Sequence, residues 1–332
     1  MGRILVYDVA AEYGGALKVL LHYYESAVGD KANEYYFVVS KPELEEQKNI
    51  RIIRLPWVKR SWFHRIFCDR YTVPRLIRDH KIDHVISLQN IGIKHCDAEQ
   101  SVYVHNALPF SEYRFKLYKE PYLWIYQNII GYILCDSLKK VDEVIVQNEW
   151  MRDAVADKAK ISSGKIRVEG VTVAEPDEKE RIHTEQVQFF YPADAFPFKN
   201  HTVIIDACKK MKSRGISDYT VIFTLDRHGT NYAEEIYRLI EENRLPIRLT
   251  GYLDREEMSD CYRSSTLLFP SYIETVGLPL LEARAYGAKI IAADCMYARC
   301  ALKGYDKVRY FDFLDSQELM KEMIDEIQAY GA

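Results

Sequence analysis

Short β-type runs alternate with helical patterns along nearly the whole of this 332-residue chain, and the alternation restarts near residue 188. Strands separated by helix-length segments pair in parallel, with crossover helices packed on the faces of the sheet. In the first half the β-type runs fall at 3–9, 35–39, 50–54, 84–88, 101–105 and 143–147, with helical patterns at 16–27, 65–80, 121–138 and 151–156. In the second half strands are expected at 188–191, 220–224, 247–250, 267–269 and 289–292, and helices at 202–214, 231–243, 254–264, 278–285 and 316–328. The stretch 174–186 is charged and Pro-containing, a linker or exposed loop. The expected fold is α/β: two Rossmann-like doubly wound domains, 1–172 and 173–332, facing each other across a cleft. A hydrophobic content of 48% is ample for two cores.

Composition removes several function classes. Forty-five Lys and Arg against 49 Asp and Glu give a net charge of −4, which excludes a globally basic nucleic-acid binder. Seven scattered cysteines with no CxxC pair read as reduced cytosolic thiols rather than a disulfide framework or a metal cluster. The N-terminus runs straight into a strand with no evident signal peptide. The longest apolar stretch, 122–134, contains Gln127 and Asn128 and is too short to span a bilayer.

Chemistry concentrates between Glu274 and Glu282. A buried strand leads into a turn, Gly277 and Pro279 open a helix, and that helix carries Glu282. Two carboxylates so placed bracket a helix N-terminus whose free N–H groups favour an anion. A nucleotide sugar, with hydroxyls on either side of its phosphates, suits that layout. With Glu274 in the turn and Glu282 two turns into the helix, the carboxylates take separate hydrogen-bonding roles rather than sharing a proton.

Three further places carry polar groups at strand ends. Lys199 follows a strand and precedes a helix that Asn200 is placed to cap, where a lysine points into the ligand crevice of an open α/β sheet. Gly14 and Gly15, after the first strand, let a backbone approach a ligand closely, although GxGxxG and GxxxxGK[ST] are both absent. His105 and Asn106 end another β-type run, and the amides of 87–90 end a third. Separately, 51–81 holds nine Lys and Arg interleaved with Trp57, Trp62, Phe63, Phe67 and Tyr71, and 113–119 repeats the mixture. Cations with amphipathic aromatics suit an anionic membrane surface, equally an ordinary solvated face, and less well single-stranded nucleic acid.

In this order the anchors resemble the retaining GT-B fold glycosyltransferases, specifically glycosyltransferase family 4 (group 1). The motif that carries the resemblance is Glu274-x7-Glu282 with its internal Gly277-Leu278-Pro279, supported by Gly14-Gly15, His105, Lys199 and the strand-turn segment 141–148. The resemblance implies that Lys199 neutralises the donor diphosphate, aided by backbone N–H groups at Thr275, Val276 and Gly277. It implies that Glu274 holds donor-sugar hydroxyls, Glu282 the ribose, and His105 the transferred sugar, with Tyr252 and Leu253 flanking the base. The implied reaction moves a sugar from a nucleotide sugar such as a UDP-, GDP- or dTDP-sugar to a lipid-linked, polysaccharide or other glycan acceptor. It is metal-independent and needs no separate cofactor, and the implied setting is the cytoplasm or the cytosolic membrane face. There is no Asp-x-Asp triplet.

Two departures accompany the resemblance. Asp194 stands where the family usually has an arginine, so a second cation comes from Arg299, Arg227 or Arg284, or the leaving group is less fully compensated. The family's closing helix, which returns to the first domain, is expected to be short or absent after 316–328. Two readings compete with transfer. A nucleotide-sugar epimerase of the same fold would isomerise its donor without an acceptor, but no added acid/base pair is visible. A non-catalytic glycan-binding module would keep the fold without turnover.

Overall fold

Among the described residues of the first unit, the apolar runs form seven parallel strands: β1 (Arg3–Asp8), β2 (Glu34–Val39), β3 (Ile50–Arg54), β4 (His84–Ser87), β5 (Glu99–Val104), β6 (Glu143–Val146) and β7 (Ile166–Val168). They lie in the order β3-β2-β1-β4-β5-β6-β7. The second unit holds β8 (Val187–Tyr191), β9 (Tyr219–Phe223), β10 (Ile247–Leu249), β11 (Thr266–Phe269), β12 (Ile290–Ala293) and β13 (Val308–Phe311), ordered β10-β9-β8-β11-β12-β13. This is a computed structural model describing residues 1–12, 14–176, 180–226 and 229–330, and its units are Met1–Gly170 and Val171–Ala332. β11 and β12 are buried along their whole length, as strands covered on both faces must be. The fold is therefore doubly wound α/β, twice over. In each sheet the order reverses beside the first strand, between β1 and β4 and between β8 and β11. Side chains just past the C-terminal ends of those strands border a crevice.

Helix-forming segments deviate from the sequence pattern where a residue cannot continue the hydrogen-bond ladder. The pattern at 65–80 becomes Trp62–Phe67, a wide π-type turn at Cys68–Thr72, then Val73–Asp79. Pro74 lacks the N–H that a regular ladder needs there. The pattern at 121–138 breaks likewise around Tyr126–Ile130, which turns Gln127 fully inward. Its amide donates to Ser111 Oγ (3.0 Å) and the Tyr113 carbonyl (2.7 Å), fastening the preceding loop. Strands β7 and β13 and the helix Met296–Ala301 are additions to the sequence reading.

The helix Ser316–Tyr330 packs on the helix His201–Ser213 and on β8, β12 and β13, within the second unit. Its buried Glu326 accepts from Lys289 Nζ (2.8 Å) and Arg309 (3.0 Å). Those cations sit near the starts of β12 and β13, so the pairings fix the helix at the end of the sheet opposite the crevice. Among the described residues, no helix is long and apolar enough to cross a membrane.

Candidate functional site

The loops that follow β8 and β11 meet because those two strands are neighbours at the reversal of the sheet. Lys199 leaves the first loop and Glu274 the second, 75 residues later, and Lys199 Nζ lies 2.5 Å from Glu274 Oε1. Both side chains are largely covered, at 18% and 15% exposed, so the pair is only lightly screened by solvent. Backbone ties hold the loops in register. Tyr272 N donates to the Phe198 carbonyl (3.1 Å), the Tyr191 hydroxyl to the Lys199 carbonyl (2.6 Å), and the Tyr297 hydroxyl to the Ser271 carbonyl.

Asn200 does not cap the helix it precedes. It sits in the left-handed region (φ 60°) with no side-chain capping bond, and its amide instead donates to the carbonyls of Pro270 (3.3 Å) and Phe313 (2.8 Å). An asparagine tolerates that backbone conformation, so it can end the turn and span two neighbouring loops.

Gly277 stands at the N-cap of the helix Leu278–Ala285 with φ 71°. A Cβ there would lie 3.1 Å from Leu280 Cδ1 and 3.2 Å from Tyr297 Cε2. The backbone conformation favours glycine, and a Cβ would press on both side chains. At this helix start Pro279 has no N–H and the N–H groups of Leu280 (2.8 Å) and Leu281 (3.4 Å) donate to the Gly277 carbonyl, with Thr275 and buried Val276 leading from Glu274 into the helix. Further along the helix, Glu282 Oε2 accepts from Tyr262 (2.6 Å), whose ring stacks on Tyr286. Burial, reinforced by the Glu282 charge, holds the Tyr262 hydroxyl well above its usual range, so it stays a donor. The carboxylates of Glu274 and Glu282 are therefore held by different partners. Tyr262, Tyr191 and Tyr297 are site residues that the sequence reading missed. On the remaining loop Gly251 has φ 71°, Tyr252 is 91% exposed and Leu253 is half-covered before the capping Asp254.

In the first unit, helix formation begins at Gly14 (φ 64°), and nothing lies within 4 Å of a Cβ on Gly14 or Gly15. Tyr13 between them and Glu12 lies outside the described residues. His105 N donates to Asn90 Oδ1 (2.8 Å), while His105 Nδ1 is shut away without a partner. Burial pushes the His105 ring down to about 4, so it is a neutral imidazole near neutral pH. The amide expected to meet a ligand from Gln89 is turned inward instead: Gln89 is bonded to Asp8 and Arg65. Asp8, buried at the end of β1, is pushed up to about 6 chiefly by burial.

Residues 173–327 match the family model described as glycosyl transferases group 1. That span contains Lys199, Glu274, Gly277 and Glu282. The match spans nearly the whole of the second unit, Val171–Ala332. Solved structures extend the likeness in fold to the whole chain. Sucrose-phosphate synthase from Thermosynechococcus elongatus superposes with a TM-score of 0.73 at 14% identity, covering 99% of this chain and 91% of that one. The lipopolysaccharide outer core galactosyltransferase WaaB (TM-score 0.69, 15% identity) also covers 99% of this chain and 91% of its own. HepE of Anabaena, solved with UDP-glucose, gives 0.65 at 14% identity, with 98% of this chain and 90% of that one covered. No curated protein sequence matches the chain. The GT-B fold class expected from the sequence is the one observed.

The second unit leaves the expected second cation unassigned. Asp194 is exposed on the loop after β8. Arg299 is held by Asp294 (2.7 and 2.9 Å) and lies over Tyr310, and Arg284 donates to the Ala301 carbonyl (3.1 Å). Both thus have other partners, while Arg227 lies outside the described residues. Among the described residues no group of three or more His, Cys, Asp and Glu side chains gathers as a metal site would require.

One consequence of the second unit's packing is acid sensitivity. His201 is fully buried among Tyr191, Phe223 and Tyr232, with neither ring nitrogen bonded, and burial followed by the Lys199 charge pushes it down to about 3. The unfolded chain binds this proton near pH 6.5 and the folded one does not. Stability is therefore lost as pH falls from 6.5 toward 3, by about 1.4 kcal/mol per pH unit. His201→Phe removes the proton site and two unsatisfied nitrogens. The unfolding free energy from urea titration is expected to fall between pH 6.5 and 4.5 in the parent, and less in the variant.

Proposed function

We propose that the chain is a retaining glycosyltransferase that moves a sugar from a nucleotide-sugar donor to a lipid-linked, polysaccharide or other glycan acceptor. The observation that carries this reading is the covered Lys199–Glu274 pair beside the left-handed Gly277 helix start, at the reversal of the sheet in the unit that matches the group 1 family model. Lys199 and the N–H groups from Thr275 to Gly277 take the diphosphate, as oriented dipoles and a fixed charge stabilise negative charge without reorganising. Binding of the diphosphate draws Lys199 from Glu274, which frees that carboxylate to accept from donor-sugar hydroxyls. Glu282, kept oriented by Tyr262, accepts from the ribose, and Tyr252 and Leu253 border the base.

The transfer passes through an oxocarbenium-like state. The bond between the anomeric carbon and the leaving phosphate oxygen breaks on the face where the acceptor oxygen bonds, and the departing phosphate takes the acceptor proton. Neutral His105 is assigned a hydrogen bond to the transferred sugar rather than a charge. The leaving charge is met by Lys199 and the helix start without a divalent cation. The binding of UDP-glucose by HepE, a fold relative, favours a nucleotide-sugar donor, and the reading places the chain in the cytoplasm or on its membrane face.

The test is transfer of labelled sugar from UDP-, GDP- and dTDP-linked donors, with the anomeric configuration of the product read by NMR. Retention, with loss of about 10²-fold or more in Glu274→Ala, is expected. Inversion, or full turnover by that variant, rejects the assignment. Isomerisation without acceptor would make the chain an epimerase.

A further inference from the structure

Water-facing helices normally turn charge outward, and two helical segments of the first unit do not. From 121 to 135 the sequence has no Asp, Glu, Lys, Arg or His. The large side chains this stretch exposes are Tyr122, Ile125, Ile129, Tyr132 and Ile133, with Asn128 the polar residue among them. Trp62, Phe63, Ile66, Phe67 and Tyr71 form a second exposed stripe, spaced to share one helix face. Phe63 is 84% and Tyr132 74% exposed, and Leu117 and Tyr118 stand out from the loop between the segments. Hydrogen bonds link the segments through the strand ends: Arg65 donates to Gln89, the adjacent Asn90 accepts from His105 N (2.8 Å), and Asn106 donates to the Tyr126 hydroxyl (3.2 Å). Single exposed apolar residues are ordinary; a grouped set marks an interaction surface.

Charge decides the occupant. Arg60, Arg70, Arg114, Lys116 and Lys119 are exposed around these segments, while Arg65 and Trp57, counted in the basic aromatic stretch, are turned into the fold. A second copy docking on the same face would set this positive rim against itself. Anionic headgroups match it, and Trp and Tyr beside Lys and Arg are the composition that settles at a bilayer interface. We propose that the face formed by 62–71 and 117–133 docks the chain on an anionic lipid bilayer by shallow insertion of its apolar side chains. The proposal deepens the membrane-facing part of the function above, yet it rests on this surface and not on sugar transfer.

The test is co-sedimentation of the full chain, without donor, on phosphatidylcholine vesicles with and without phosphatidylglycerol. Two triple variants, W62S/F63S/F67S and Y122S/I129S/Y132S, remove the stripes at exposed positions, and thermal unfolding checks that they fold. Binding to anionic vesicles is expected to exceed that to neutral ones by about tenfold or more, and each variant to lose about tenfold. Raised salt should weaken binding without abolishing it, with a blue shift of tryptophan emission on docking. Equal binding to both vesicles, no binding, or unchanged binding by both variants overturns the proposal. So does a solution dimer that the variants dissociate, which would give the face to a second copy. Stabilisation by nucleoside diphosphates, measured on the same variants, separates failure here from failure of the transferase reading.

Discussion

Lys199→Ala is expected to lower kcat/KM for the nucleotide-sugar donor by about 10²–10³-fold or more, with the fold intact. Two effects add. The leaving diphosphate loses the cation 2.5 Å from Glu274, and the Glu274 carboxylate is left largely covered with no counter-charge, facing the phosphates it must not repel. The second effect has its own signature. Lys199→Ala/Glu274→Gln should bind nucleoside diphosphate more tightly than Lys199→Ala alone, because the repelling charge is gone, yet recover little turnover. Isothermal titration beside steady-state rates reads both. Equal affinities in the single and double variants would show that Glu274 does not face the phosphates.

Gly277→Ala carries the second large effect. A left-handed φ costs an L-residue about 1–2 kcal/mol, and the new methyl would meet Leu280 and Tyr297 at 3.1 and 3.2 Å. Tyr297 also holds the Ser271 carbonyl, so displacing it loosens the loop that carries Glu274. Destabilisation of about 2–3 kcal/mol is expected, a fall in Tm of roughly 5–10 °C for the C-terminal unit. Donor binding should fall with it, since the helix start and Glu274 move together. Gly15→Ala is the contrasting case. A Cβ there meets nothing within 4 Å and the residue lies outside the positive-φ set, so stability should change little. Differential scanning calorimetry distinguishes the two.

What was legible in the sequence was local. The helix Leu278–Ala285 and the strand Ile50–Arg54 have the bounds their residues suggest, because Gly277 and Pro279 start the one and the apolar run defines the other. The strands missed, β7 and β13, are short edge strands in which Arg167 and Arg309 interrupt the apolar pattern. Asn200 misled for a physical reason: the residue type that caps helices also tolerates the left-handed conformation, and here tertiary acceptors at Pro270 and Phe313 took its amide.

The site shows the same division. Glu274, Gly277 and Glu282 fall within nine residues of one loop and helix, so their spacing could be read directly. Their partners Lys199 and Tyr262 arrive through sheet order and a neighbouring helix, 75 and 20 positions away, and no local pattern states that pairing. Gln89 looked available at a strand end. Its neighbours Asp8 and Arg65, from distant segments, had already claimed it.

The central claim is that the Lys199–Gly277 corner holds a nucleoside diphosphate. Thermal unfolding of the parent and of Lys199→Ala, each titrated with UDP, GDP, dTDP and CMP, tests it most directly. A ligand that binds only the folded state stabilises it by about 2.7 kcal/mol at a hundredfold excess over Kd. At least one diphosphate should raise the parent's Tm, CMP should do so less, and the shift should collapse in Lys199→Ala. No shift with any nucleotide, or the same shift in the variant, would contradict the account.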